Sequence, residues 1–139
     1  MKYLSVKFGV ILIGLVFFSN VQAWGAGWKL FYYDEESSGY YDAEDVARLS
    51  GDIVRVWVIR DYTKEGIIKA IQKLGKDFEK LSFDKHLVEI NCVDKKNHFL
   101  RSVSYSEKGE VIYSNDKPRE WNFIVPESVF GALYKNVCK

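Results

Sequence analysis

The sequence predicts an α+β protein, mainly β: a single antiparallel sheet of about six strands, one helix between strands and one helix at the C terminus. Three observations carry this expectation. Runs dense in Val, Ile, Tyr, Phe and Trp recur along the chain, separated by turn residues after roughly every 8–12 positions. The apolar period lengthens from two to between three and four over Thr63–Leu81 and again after Pro126. The breaks between the later runs are short, polar or Gly-containing, which favours antiparallel connections.

The N-terminal stretch has a different character. Lys2 and Lys7 precede an 11-residue uncharged apolar run, Phe8–Phe18, followed by Ser-Asn-Val-Gln-Ala23. A basic segment, an apolar segment and the small-x-small pattern Val21-Gln22-Ala23 form the layout of a secretory leader. A membrane anchor is the alternative. It needs about 20 mainly apolar residues, and the second half of this stretch carries Ser19, Asn20 and Gln22. The expected division is a signal peptide over 1–23 and one domain over 24–139.

That division changes the charge. With Lys2 and Lys7 set aside, 18 of the 20 basic residues face all 19 acidic ones, so the domain sits near −1. Signs are mixed along the chain, which gives no electrostatic reason to expect nucleic acid or an anionic membrane surface as partner. Abundant aromatic and β-branched residues argue against disorder.

Trp28-Lys-Leu-Phe-Tyr-Tyr33 is the first strand, stopping at Asp34-Glu-Glu-Ser-Ser-Gly39, after which Tyr40-Tyr41 resumes as the second arm of a hairpin. Asp42–Ser50 offers at best one helical turn, ended by Gly51. Ile53–Tyr62 is the strongest strand signal, with Val54, Val56 and Val58 on one face and Arg55, Trp57 and Ile59 on the other. Both faces are largely apolar, so this strand belongs in the middle of the sheet, with Arg55 and Arg60 reaching past Trp57 on its second face. Ile67, Ile71, Leu74, Phe78 and Leu81 then follow helical spacing; with Thr63 as N-cap and Gly75 as terminator, the helix is expected over 64–74, with 76–82 an ordered connection.

In His86–Asp94, Val88, Ile90 and Cys92 share the apolar face. Asp94–Asn97 reads as a turn, and Phe99, Val103 and Tyr105 mark the inward set of the next strand, which closes at Ser-Glu-Lys-Gly109. Glu110–Tyr113 resumes the meander. A loop over Ser114–Arg119 leads to Trp121, Phe123 and Ile124. Pro126 as the first helical position, with Glu127 beside it, starts the C-terminal helix, whose stripe is Val129, Ala132, Leu133 and Val137.

The two cysteines, Cys92 and Cys138, are the most informative pair. Export puts both in an oxidising compartment, where an even count favours a disulfide. Cys92 faces the apolar side of a strand, and Cys138 ends a helix that must cover that side, so a bridge would pin helix to sheet. The rival is a reactive thiol with His86 or His98 as base; export and the isolation of the histidines weigh against it. No cysteine lies in or just after the leader, so a lipid anchor is not expected, and the destination is the periplasm, the cell surface or the medium.

Other chemistry is thin. The two histidines do not pair at zinc-ligand spacing. Asp42, Glu44 and Asp45 lack the glycine of a calcium loop and read as turn acids. No phosphate-binding loop, nucleophile elbow or asymmetric carboxylate pair is present. The expectation is no enzyme, no metal and no cofactor. Tyr32, Tyr33, Tyr40, Tyr41, Trp57 and Trp121 are candidates for a binding surface, since Tyr and Trp are favoured contact residues; the competing reading is that these rings fill the core and cover the second face of a thin sheet.

Trp28-Lys-Leu-Phe-Tyr, Tyr40-Tyr-Asp, Gly51-Asp-Ile-Val-Arg-Val-Trp-Val, Glu89-Ile-Asn-Cys92, Leu100-Arg-Ser-Val-Ser-Tyr105, Glu120-Trp121, Pro126-Glu-Ser-Val and Ala132-Leu-Tyr-Lys-Asn-Val-Cys138 occur in that order. Together they resemble the surface-adhesin protein E family of Gram-negative bacteria, over essentially all of 24–139. The resemblance implies a curved sheet with the C-terminal helix tethered to it by a Cys92–Cys138 disulfide, and Trp57 and Trp121 as framework tryptophans. The activity it implies is adhesion to host matrix and serum proteins. The chain departs from the founding lipoprotein type in having no lipidation cysteine. The expected function is therefore an exported, non-catalytic module with a protein partner. The alternative is a periplasmic accessory domain whose partner is a bacterial envelope protein.

Overall fold

A computed structural model describes residues 27–139; the expected leader, 1–23, lies outside them. Period-two runs of branched and aromatic residues form β1 (Trp28–Tyr33), β2 (Ser37–Asp42), β3 (Ala47–Leu49) and β4 (Ile53–Tyr62). Helix α1 (Lys64–Leu74) and a 3₁₀ turn (Lys76–Phe78) follow. Then come β5 (Leu81–Asn91), β6 (Lys96–Ser106), β7 (Val111–Asn115), β8 (Asn122–Phe123) and α2 (Val129–Val137). The strands make one antiparallel sheet in the order β1-β2-β4-β5-β6-β7; β3 pairs with β4 beyond the end of β2, and β8 pairs with β6 beyond β7.

The six strands on that path are the six expected. The segment expected to hold at best a helical turn instead contributes β3, three exposed residues laddered to Ile53–Arg55. Gly51 and Asp52 both take positive φ in the turn that joins β3 to β4. β5 starts at Leu81, ahead of the expected His86, and the tight turn falls at Cys92–Lys95, with Lys96 and Asn97 already in β6.

Alternation along β4 works as expected at Val54, Val56 and Val58, which are buried on one face. The same parity corrects Arg60. It shares the face of Val58, donates from Nε to Ser37 Oγ at 2.9 Å, and lies over the Tyr62 ring. The expected inward set of β6 is also corrected. Phe99 pairs with Val88 and Arg101 with Leu87, so Leu100 is an extra residue, a β-bulge. The bulge reverses facing. Beyond it Ser102 and Ser104 lie on the face of Val88, while Val103 and Tyr105 turn to the other.

Helix α2 covers the face of Tyr41, Val54, Val56, Val58, Val88 and Ile90, inserting Leu133 and Val137, both nearly inaccessible. Burying one such side chain contributes about 1.5–3 kcal/mol. Phe130 and Tyr134 pack against this cluster where Val129 and Ala132 were expected. The helix starts later than Pro126: Ser128 is its N-cap, its Oγ accepting from Gly131 N–H. Helix α1 has the expected bounds, with Thr63 capping through Gly66 N–H and Gly75 ending it at φ 100°. It is anchored mainly at its N terminus, and Leu74, expected on the apolar stripe, is 57 % exposed.

Candidate functional site

Cys92 and Cys138 are joined by a disulfide with their Cα atoms 5.5 Å apart. The turn after β5 puts Cys92 beside the last turn of α2. Tyr134 adds a second link, donating its hydroxyl to the Cys92 carbonyl at 2.9 Å. The thiols are therefore spent in a covalent bridge, and the histidines are not isolated as expected. His98 Nε2 lies 2.8 Å from Glu89 Oε1, and His86 Nδ1 lies 2.8 Å from Ser102 Oγ. Among the described residues no three His, Cys or carboxylate groups converge as a metal site would require.

The six candidate aromatics do not share one surface. Tyr41 is in the core, because its register opposite Val58 turns it towards α2. Tyr40, its neighbour, faces the other way. Tyr32 donates to Asp34 Oδ2 at 3.0 Å, and Asp34 Oδ1 accepts from the backbone of Glu36 and Ser37, which locks the β1–β2 turn. Tyr33 is 74 % exposed on the outer strand. Trp57 is half-buried on the sheet face opposite α2, and Trp121 stacks on His98 with ring centroids 3.8 Å apart.

Trp57 has company that the sequence reading missed. Trp28 pairs with Asp42, in the same row as Trp57, and Lys85 Nζ lies 5.8 Å and 5.1 Å from the two ring centroids. Phe83 and Tyr105 stack at 4.9 Å on this same face. All four rings are partly exposed. Beginning β5 at Leu81 would have exposed the pattern, since Phe83, Lys85 and Leu87 then alternate against Trp57. Beside them Arg55 and His98 clamp Glu89. Burial alone would raise the Glu89 carboxyl, but these two partners outweigh it and hold the carboxyl below its usual range.

The α2-bearing face changes character past Val58. Tyr62 and Ser104 donate to Asp84 at 2.5 and 2.6 Å, and His86 Nε2 stands 3.7 Å from the same carboxylate. Burial favours the neutral acid, yet His86, Ser104 and Tyr62 together depress the Asp84 carboxyl, while burial and Asp84 push the Tyr62 hydroxyl up. Asp, His and Ser are thus adjacent here. Ser102 is buried and Asp84 is committed to Tyr62 and Ser104, so the array fixes β4, β5 and β6 to one another. Between this polar half and α2 lies a cavity of about 150 Å³. Phe31, Val58, Phe99 and Phe130 form its apolar walls, and Arg60 and His86 its polar one.

No helix among the described residues is long and apolar enough to cross a membrane. A family model for surface-adhesin protein E matches residues 28–139. No curated protein matches. Among solved structures, that of Haemophilus influenzae protein E is similar, with a TM-score of 0.54 at 13 % identity, covering 81 % of this chain and 84 % of that one. At that identity the likeness is one of fold.

Proposed function

The chain belongs to the surface-adhesin protein E family, and on that premise we propose that it is an exported, non-catalytic module that binds another protein through the sheet face opposite α2. The observation behind this reading is the row of partly exposed rings on that face, Trp28, Trp57, Phe83 and Tyr105, with Lys85 over the two tryptophans. Large, stiff aromatic side chains bury much area for little lost conformational freedom, and they dominate protein contacts where they cluster. Cleavage after Ala23 releases the domain to the cell surface or the medium. Its partner is a host matrix or serum protein.

A binding assay of the protein against purified matrix and serum proteins tests this. Saturable binding that falls at least about tenfold in Trp57→Ala is expected; no saturable partner, or full binding by that variant, overturns it. A second reading is favoured by the absence of any cysteine before Cys92: an accessory domain of the periplasm that contacts an envelope protein. Protease added to intact cells separates the two, since a periplasmic domain survives it.

A further inference from the structure

The cavity between α2 and the polar half of the sheet has no part in the proposed protein contact, which uses the other face. Its composition is that of a ligand site. Phe31, Val58, Phe99 and Phe130 supply apolar contact, and one cation, Arg60, lines the cavity on the sheet side next to Val58. A cavity of about 150 Å³ with apolar walls accommodates a single six-membered ring.

Arg60 is held but not used up. Its Nε donates to Ser37 Oγ at 2.9 Å and its Cζ lies 4.9 Å from the centre of the Tyr62 ring, two contacts that hold the guanidinium. The nearest carboxylate, Glu36, lies at 4.0 Å and is engaged by Lys69 at 2.6 Å. The terminal nitrogens of Arg60 meet Glu36 only at 4.0 Å and interact with Tyr62, which still leaves N–H donors for a ligand. Parallel N–H donors on a fixed plane match a carboxylate. His86 adds a polar group on the same wall, already oriented by Ser102.

We propose that this cavity binds a small monocarboxylate whose apolar part is one ring or a short branched chain, the carboxylate on Arg60 and the apolar part among Phe31, Phe99 and Phe130. That chemistry is shared by free aryl-alkanoic acids and by the C-terminal residue of a peptide ending in Phe.

The test is NMR titration of the full chain with 3-phenylpropionate, 3-phenylpropionamide, a tripeptide ending in Phe and the same tripeptide amidated. Saturable shifts are expected at the amides of Gly39, Val58 and Phe130, with each neutral amide about tenfold or more weaker than its acid. Binding by the free acid alone assigns the site to small acids, and binding by the tripeptide acid assigns it to chain termini. Arg60→Gln should reduce each acid to the level of its amide, with circular dichroism showing the fold intact. Absence of saturable shifts for both acids, equal affinity of acids and amides, or shifts confined to the opposite face overturns the proposal. The amide comparison needs no variant, so it holds even if Arg60→Gln fails to fold.

Discussion

Gly66, in the first turn of α1, rests against the carbonyl oxygen of Glu36 at the tip of the β1–β2 hairpin, and a Cβ built on Gly66 would collide with that oxygen. The same carbonyl accepts from Thr63 N at 2.9 Å, so cap and helix share one backbone anchor. In a helix Ala ordinarily gains about 1 kcal/mol over Gly. Here Gly66→Ala should instead destabilise, by about 1–3 kcal/mol, because the obstacle is backbone. Urea unfolding reads the sign, and a higher midpoint in the variant would contradict the contact.

The Cys92–Cys138 bridge spans a separation of 46 residues. In the chain-entropy model a loop of that size stabilises by roughly 4 kcal/mol. The double variant Cys92→Ser with Cys138→Ser should lose about 2–5 kcal/mol, and reductant should lower the Tm of the parent but not of the variant. Tyr134→Phe, which removes only the hydroxyl donor to Cys92, should cost about 1 kcal/mol. Equal Tm for parent and double variant would mean that α2 docks without its covalent tie.

The two helices should differ sharply in sensitivity. Leu133 is 0 % exposed and Leu74 57 %. Leu133→Ala should cost about 2–5 kcal/mol, and Leu74→Ala no more than about 0.5 kcal/mol. Chemical denaturation of both variants checks the pair, and comparable losses would show that α1 is packed far more tightly than its exposure indicates.

Asp84 and Glu89 lead the acid limb of stability, and the exposed Asp34, which accepts from the Glu36 and Ser37 backbone, acts in the same sense. Each carboxyl is depressed in the folded protein, burial being outweighed by His86, Ser104 and Tyr62 at the first and by His98 and Arg55 at the second. A group with a lower pKa folded than unfolded binds fewer protons in the native state, so its contribution is full above the unfolded value, about 4, and is lost as pH falls through the depressed one. Asp61, which burial pushes up, works in the opposite sense. The urea midpoint should therefore fall below about pH 4, and Asp84→Asn should flatten that fall. An acid limb unchanged in Asp84→Asn would remove Asp84 from the account.

Much of this architecture was legible from local pattern. Alternation in Ile53–Tyr62 placed Val54, Val56 and Val58 on one face, and helical spacing after Thr63 gave the bounds of α1. What escaped was set by pairing. The extra residue at Leu100 can be recognised only against its partners Leu87 and Val88, and it turned Val103 and Tyr105 to the face opposite the one expected. β3 and β8, three and two residues long, are too short to show a period. The cavity escaped for a related reason. Arg60, His86, Phe31 and Phe130 come from four different elements, and no sequence spacing connects them.

The covalent tie also alters how the molecule responds to proteolysis. β6, β7, β8 and α2 all lie within the ring that Cys92 and Cys138 close. A trypsin cut at Arg119, exposed in the loop after β7, opens the ring and leaves one covalent molecule with two new ends. A cut at Lys73 or Lys76 lies outside the ring and separates the chain into two pieces with no covalent link, held by the β4–β5 ladder and by the packing of α2 on β2 and β4. Outside a cell, where proteases are the common hazard, the bridge divides the sequence into a half that tolerates nicking and a half that does not.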